Sequence, residues 1–217
     1  MAELRFETAE SVHAFENQVG IAARACVEAL RALVDNEEPM AVLSAMKFNQ
    51  IGQDPLQPGV PLNLIEQVNQ TFTYLVTAAA VKALLLAHPE SAPFEANLGT
   101  ASGTDIESVA HPKVAAEVFA AVSPANNQKL KQDIAKVQAV KADLRYVFYC
   151  SPGAHDEGKV PGDVRVKVRG RGDNRREDVS ELAELKLEVR PRRACGEHVA
   201  APAPKQLNGP PAAALAR

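Results

Sequence analysis

One acidic residue stands out in the sequence because the stretch around it is otherwise apolar. Glu117 is the only ionisable residue of VAAEVFAAV (114–122), which would be apolar on both faces if it formed a β-strand. Such a strand is expected in the middle of a sheet, where an unpaired carboxylate is costly. We therefore expect Glu117 to pair with a lysine or arginine, to lie at the open end of the sheet, or to bind a metal ion.

A second carboxylate is expected close to the first. Asp105 lies twelve residues before Glu117 and follows the segment GTASG (99–103), at the start of a strand-like stretch. If the two strands are neighbours, these carboxylates converge, and Glu107 lies on the same side of its strand as Asp105. Carboxylate oxygens are ligands that suit Mg²⁺ or Mn²⁺. Asp105, Glu117 and Glu107 are thus candidate metal ligands, although Glu107 would equally suit a solvated strand edge.

The segments around these residues predict the order helix, three strands, helix, strand. A long helix is expected from Asn63 to His88, and Asn63 can cap it together with Glu66 three residues further on. The next elements are strands at 93–99, 104–110 and 113–122, a helix that opens at Ser123 and runs through 129–144, and a strand at 145–150. This order predicts an α/β fold with a central mixed sheet in residues 62–150.

Residues 1–61 are expected to form a helical region. Apolar residues recur at steps of three and four from Val12 to Leu33, which indicates a helix with one buried face. Packing on the protein's own core is expected rather than pairing with a second chain, since three heptads are few for a coiled coil. Residues 40–49 indicate a short helix, and GQDPLQPGVP (52–61) indicates a loop.

The composition changes near residue 150. All ten aromatic residues precede that point, and the net charge is −6 for residues 1–150 but +3 for residues 151–217. A segment without aromatic residues can bury little apolar surface, so residues 151–217 are expected to be a largely disordered tail. The alternative is that VRVKV (164–168) and VSELAELKLEV (179–189) form a strand and a helix on the main domain.

Several classes of protein are not expected from the sequence. No stretch approaches 18 uninterrupted apolar residues, and MAELRFETAE has neither a basic start nor an apolar run, so we expect neither a membrane span nor a signal peptide. Three cysteines without Cys-x-x-Cys spacing indicate neither a disulfide framework nor a zinc finger. The cytoplasm is the expected location. The net charge of −3 argues against a uniformly basic nucleic-acid coat but is compatible with a local basic patch.

The order of elements in residues 63–150, with Asp105 in SGTDIES and Glu117 in AAEVFAA, resembles the PD-(D/E)xK nuclease superfamily, which includes many type II restriction endonucleases. The resemblance implies that Asp105 and Glu117 hold a divalent metal and that a lysine two positions after the second assists the attacking water. Thr104 replaces the proline of the motif, and Phe119 replaces that lysine.

Some members of the superfamily supply the lysine from the next helix, and by this resemblance Lys129 in NNQKLKQD is the candidate. Lys129, Asp133 and Lys136 are spaced by four and three residues, and such a stripe is as readily a solvated, self-paired helix face. The resemblance therefore leaves the role of Lys129 open between catalysis and surface pairing.

The function that the resemblance implies is a Mg²⁺- or Mn²⁺-dependent endonuclease of the restriction-modification type, with double-stranded DNA as its partner. Asp105 and Glu117 would bind the ion, and Lys129 would orient the water or offset charge on the phosphate. Cleavage of both strands would favour a two-fold homodimer. The alternative is a non-catalytic binding or assembly module on a degenerate nuclease fold, which Phe119 and the negative charge of residues 1–150 favour.

Overall fold

The computed structural model describes residues 4–98, 103–123, 128–151, 158–160 and 164–169. Its helices are α1 (Ala9–Asn36), α2 (Pro39–Phe48), α3 (Leu64–Ala87) and α4 (Lys129–Ala139). Its strands are β1 (Leu4–Phe6), β2 (Gln50–Gln53), β3 (Pro61–Asn63), β4 (Phe94–Ala96), β5 (Ile106–Ser108), β6 (Val114–Ala120), β7 (Leu144–Cys150), β8 (Gly158–Val160) and β9 (Val164–Arg169). A single 3₁₀ turn (Pro89–Ser91) follows α3.

Seven of the described strands form one mixed sheet in the order β1-β4-β5-β6-β7-β9-β8. Strands β4, β5 and β6 pair antiparallel, whereas β6, β7 and β9 run parallel. Helix α4 makes the crossover between β6 and β7, as a parallel pair requires. The predicted α/β fold and its order of helix, three strands, helix and strand are confirmed, and β6 lies inside the sheet as expected.

Helices cover both faces of this sheet. On one face, α1 and α3 bury the main core, which contains Phe6, Phe15, Tyr74, Leu84, Phe94, Ile106, Val118 and Phe148. On the other face, α4 covers a smaller cluster formed by Ala115, Phe119, Val137, Val147, Tyr149 and Val164. Because side chains alternate along a strand, Glu117 shares the α4 face with Ala115 and Phe119.

The amino-terminal region is not separate from this core, contrary to the expected division at residue 61. Strand β1, which the sequence pattern did not indicate, pairs with β4, and α1 buries Val12, Phe15 and Val19 in the main core. The helix therefore packs on the protein's own core, as expected. The predicted loop at 52–61 is shorter, because β2 and β3 pair on either side of it.

Helix α3 is capped as the sequence predicted. The side-chain oxygen of Asn63 accepts from the Glu66 amide at 2.9 Å, and Glu66 accepts from the Asn63 amide at 3.0 Å. Asn63 is therefore the N-cap residue, and Glu66 completes the capping box from the third helical position. By length and composition α3 is also apolar enough to cross a membrane, but half of its most apolar stretch is buried inside the protein, which is the pattern of a core helix.

Two boundaries differ from the sequence predictions. Helix α4 begins at Lys129 after Gln128, whose φ is 54°, so Ser123 is not its cap residue; residues 124–127 lie outside the described part. The expected disorder after residue 150 is wrong for β8 and β9, since β9 pairs in parallel with β7 and Val164 is fully buried. The alternative of a strand at 164–168 is confirmed, whereas the possible helix at 179–189 lies outside the described residues.

Candidate active site

Asp105 and Glu117 come together across the antiparallel pair of β5 and β6. The register pairs Ile106 with Ala116 and Glu107 with Ala115, so one further step sets Asp105 opposite Glu117 on the α4 face. A hydrogen bond confirms the proximity, because the Val118 amide donates to Asp105 Oδ2 at 2.8 Å. The sequence prediction that these carboxylates lie on neighbouring strands is therefore confirmed.

Glu117 is buried and has one ion-pair partner. Its side chain has no exposed surface, and Lys136 of α4 places its Nζ 2.9 Å from Oε2. The second carboxylate oxygen, Oε1, is also buried, and no group in the described part of the chain makes a hydrogen bond to it. The Lys136 side chain is 46% exposed, so its ammonium is shared between this carboxylate and solvent.

Helix α4 brings a further carboxylate to the same region. Asp133 is buried, and its Oδ1 lies 2.5 Å from Lys129 Nζ, one helical turn earlier. Its Oδ2 is buried without a hydrogen-bond partner in the described ranges. The stripe formed by Lys129, Asp133 and Lys136 is thus not a solvated face, because its central member points inward while its lysines reach to the surface.

The electrostatics of these groups are coupled. Burial, together with the charges of Asp105 and Asp133, raises the pKa of Glu117 to about 7, although the hydrogen bond from Lys136 acts in the opposite direction. Burial also raises the pKa of Asp133, against the lowering effect of Lys129. The pKa of Lys136 is raised, since its contact with Glu117 and the nearby acidic charges outweigh the lowering effect of burial.

Lys129, whose role the resemblance left open between catalysis and surface pairing, lies at the site and pairs with a carboxylate of its own helix. Its Nζ pairs with Asp133 and lies 5.8 Å from the centroid of the Phe119 ring. Phe119 is itself a core residue, stacked on Tyr149 with ring centroids 5.2 Å apart. The lysine that reaches the strand carboxylate is Lys136. The sequence indicates Lys136 as a candidate as well, because it lies in the same helical stripe as Lys129.

Glu107, expected as a third metal ligand, is directed elsewhere. It is exposed, and its Oε1 accepts from the Thr104 hydroxyl at 2.8 Å and from the Thr104 amide at 3.3 Å. The buried carboxylate that joins Asp105 and Glu117 from the helix is Asp133, which the sequence had not singled out as a ligand.

The donor chemistry of the site fits a divalent cation, although the side chains are not gathered around one position. Within the described ranges, no three side chains from His, Cys, Asp and Glu form a group arranged to hold a metal ion. Glu117 and Asp133 nevertheless each keep one buried carboxylate oxygen without a hydrogen bond, as far as the described residues show. Buried oxygens of this kind are costly unless a cation, a water or a proton satisfies them.

Comparison of the chain with protein-family models, with curated proteins and with solved structures gave no match. What this site does must therefore be inferred from its own residues.

Proposed function

We propose that the protein is a divalent-metal-dependent endonuclease that hydrolyses phosphodiester bonds of double-stranded DNA in the cytoplasm. The observation that carries the proposal is the pair of buried oxygens, Glu117 Oε1 and Asp133 Oδ2, that lack a partner among the described residues. The charge of Asp105 acts on both carboxylates and raises both pKa values. Three carboxylates so close together need a positive charge, and the two lysines engage one oxygen of each buried group.

Asp105, Glu117 and Asp133 are the residues that would hold Mg²⁺ or Mn²⁺. When bound, such an ion polarises the scissile phosphate and lowers the pKa of the attacking water. Oxygen ligands are the set that these hard cations select. Asp105 has one oxygen fixed by the Val118 amide, which orients the carboxylate before any ligand arrives. Glu107 is not part of this proposed set, because its carboxylate serves Thr104.

Lys136 takes the role that the family resemblance assigns to a lysine. Its ammonium contacts Glu117 Oε2, and the partial exposure of its side chain lets it meet a phosphate group from solvent. In that position it would offset the negative charge that develops on the phosphate. Lys129 would act one step away, by holding Asp133 in place through Oδ1.

The proposed DNA partner and homodimer each have support on the surface. Lys131 is exposed on α4, and the side chains of Lys129 and Lys136 are 43% and 46% exposed, so the helix offers positive charge for the DNA backbone. Large apolar side chains are exposed on α2 and α3, which favours contact with a second copy. They include Met40 (75% exposed), Phe48 (71%) and Phe72 (49%).

A non-catalytic binding or assembly module is the second candidate, and one observation favours it. Glu117 is fully buried and already paired with Lys136, which is what a structural ion pair requires. On this alternative the two lysines neutralise buried carboxylates and the site holds α4 against the sheet.

A cleavage assay separates the two candidates. The full chain is incubated with supercoiled plasmid and linear duplex in Mg²⁺, in Mn²⁺ and in EDTA. We expect metal-dependent cleavage that Glu117→Gln and Asp133→Asn each abolish, with the fold retained by circular dichroism. Glu95→Gln is the matched control, since Glu95 lies on the neighbouring strand β4 and pairs with Arg5. No cleavage by the folded wild type in either metal would leave the non-catalytic module.

A further inference from the structure

The segment that presents Asp105 is held by a side chain from the strand that follows. Thr104 is buried, and both its hydroxyl and its amide donate to the same oxygen, Glu107 Oε1, at 2.8 and 3.3 Å. Gly103 precedes it with a φ of +119°, a conformation that suits glycine, and so lets the chain turn into this position. The Glu107 carboxylate therefore holds Thr104, the residue before Asp105, through two hydrogen bonds.

The two neighbouring strands fix the rest of Asp105. Its backbone carbonyl accepts from the Asn97 amide at 2.9 Å, and its Oδ2 accepts from the Val118 amide. The residue is therefore held by β4 through its carbonyl, by β6 through its side chain, and by Glu107 through Thr104. Of these three supports, the Glu107 contact is the one that a side-chain substitution removes without touching the sheet.

We propose that Glu107 is a positioning residue that sets Asp105 for metal binding through Thr104, and that it is not itself a ligand. This inference rests on the proposed function. The contact with Thr104 needs an acceptor oxygen but no charge, whereas a ligand to a divalent cation contributes through its charge. An amide at position 107 therefore keeps the first role and loses the second. Removing an outer partner of a metal ligand typically weakens metal affinity by about 10-fold to 100-fold.

The test measures binding of Mn²⁺ alone to the full chain by calorimetry and by electron paramagnetic resonance. We expect Glu107→Ala to weaken Mn²⁺ binding by about 10-fold or more, and Glu107→Gln to stay within about 3-fold of wild type. Thr104→Val, which removes the hydroxyl but keeps the amide, should fall between them. Glu95→Gln is the control for loss of one negative charge, because Glu95 lies directly opposite Glu107 in the register of β4 and β5.

The outcomes separate this inference from the proposed function. If Glu107→Gln binds Mn²⁺ as weakly as Glu107→Ala, while Glu95→Gln does not, Glu107 is a ligand through its charge and the positioning role is wrong. If Glu107→Ala binds as tightly as wild type, Glu107 has no role at the site. If folded wild type binds no Mn²⁺ at all, the proposed function fails, and the positioning role fails with it.

Discussion

Lys136 Nζ lies 2.9 Å from Glu117 Oε2, so a residue of α4 supplies the positive charge for a carboxylate of the central strand β6. The strand position where the nuclease resemblance expects a lysine holds Phe119, which packs against Tyr149 instead. With the lysine on α4, Phe119 and Tyr149 stay packed in the core, and an ammonium group still contacts Glu117. The proposed chemistry therefore depends on how α4 packs on the sheet.

The first prediction concerns Lys136. Lys136→Ala should lower the rate of plasmid cleavage by about 100-fold, the range for losing a positioned charged group. Lys131→Ala is the matched control, because Lys131 is exposed on the same helix and should affect DNA binding and its salt dependence at most. Initial rates at saturating Mg²⁺ check this, and equal small effects of the two substitutions would argue against a catalytic lysine on α4.

The pH dependence of stability should reveal the raised pKa of Glu117. Its pKa is about 7 in the folded protein and near 4.5 in the unfolded chain, so the folded state holds the proton more tightly. The contribution of this group to stability is therefore fully present below about pH 4.5 and is lost as the pH rises through about 7. Thermal unfolding of wild type and Glu117→Gln across pH 4 to 8 measures the difference.

In that comparison, the stability of wild type relative to Glu117→Gln should fall between about pH 4.5 and 7 and change little above that window. The pKa of Lys136 is also raised, which moves its titration further above this window, so Lys136 should not contribute there. A difference that rises with pH would mean that Lys136 stabilises the ionised carboxylate more than burial penalises it.

Metal addition should stabilise the protein without any DNA present. A cation that binds the folded state adds about 2.7 kcal/mol at 100 times its Kd, which for a chain of this size raises Tm by roughly 5 °C or more. Mn²⁺ should therefore raise the Tm of wild type, and EDTA should reverse the shift. Asp133→Asn and Glu117→Gln should lose most of it, whereas an undiminished shift in both variants would place the cation elsewhere.

The carboxyl-terminal boundary of the folded core should lie beyond β9. Val164 is fully buried against α4 and β7, so Val164→Ala should lower the free energy of unfolding by about 2 kcal/mol. Val122→Ala is the control, since Val122 is 80% exposed and should change it little. Urea denaturation gives both values.

Limited proteolysis should also leave a fragment that extends past Arg169, and a stable fragment that ends near Cys150 would contradict the placement of β9.

The meeting of Asp105 and Glu117 was predictable from the sequence because local patterns determine it. An apolar stretch around Glu117 indicates an inner strand, and a short connection from Asp105 indicates a neighbouring one. The sequence did not predict which residues of α4 contact the site. The orientation of α4 depends on where the helix begins, and Gln128 adopts a left-handed conformation that no pattern in NNQKLKQD indicates. Lys129 and Lys136 lie in the same helical stripe, and the sequence interpretation chose Lys129. In the structure, Lys136 is the lysine that contacts Glu117 on β6.

Strand β1 was missed, and β9 was expected only as the alternative to disorder, for a different reason. Strand β1 has three residues and pairs with β4, which is distant in the sequence, and β9 pairs with β7 across a segment without a clear pattern. Three apolar or charged residues such as Leu4–Phe6 carry no periodicity of their own. Composition was a poor guide to β8 and β9, because the absence of aromatic residues after residue 150 lowers the apolar surface but does not prevent β9 from pairing with the aromatic-rich strand β7.

The pairing of β1 with β4 has a consequence for the order in which the sheet forms. Leu4 lies opposite Ala96, so closing this pair brings together positions separated by roughly ninety residues, and such closure is entropically costly and slow. The hairpins and the β6-α4-β7 unit involve far shorter separations. We therefore expect β1 to join last, and until it does the outer edge of β4 remains open to strands of other chains. Refolding at high protein concentration would then promote misassembly at the outer edge of β4, while the site around Glu117 is already formed.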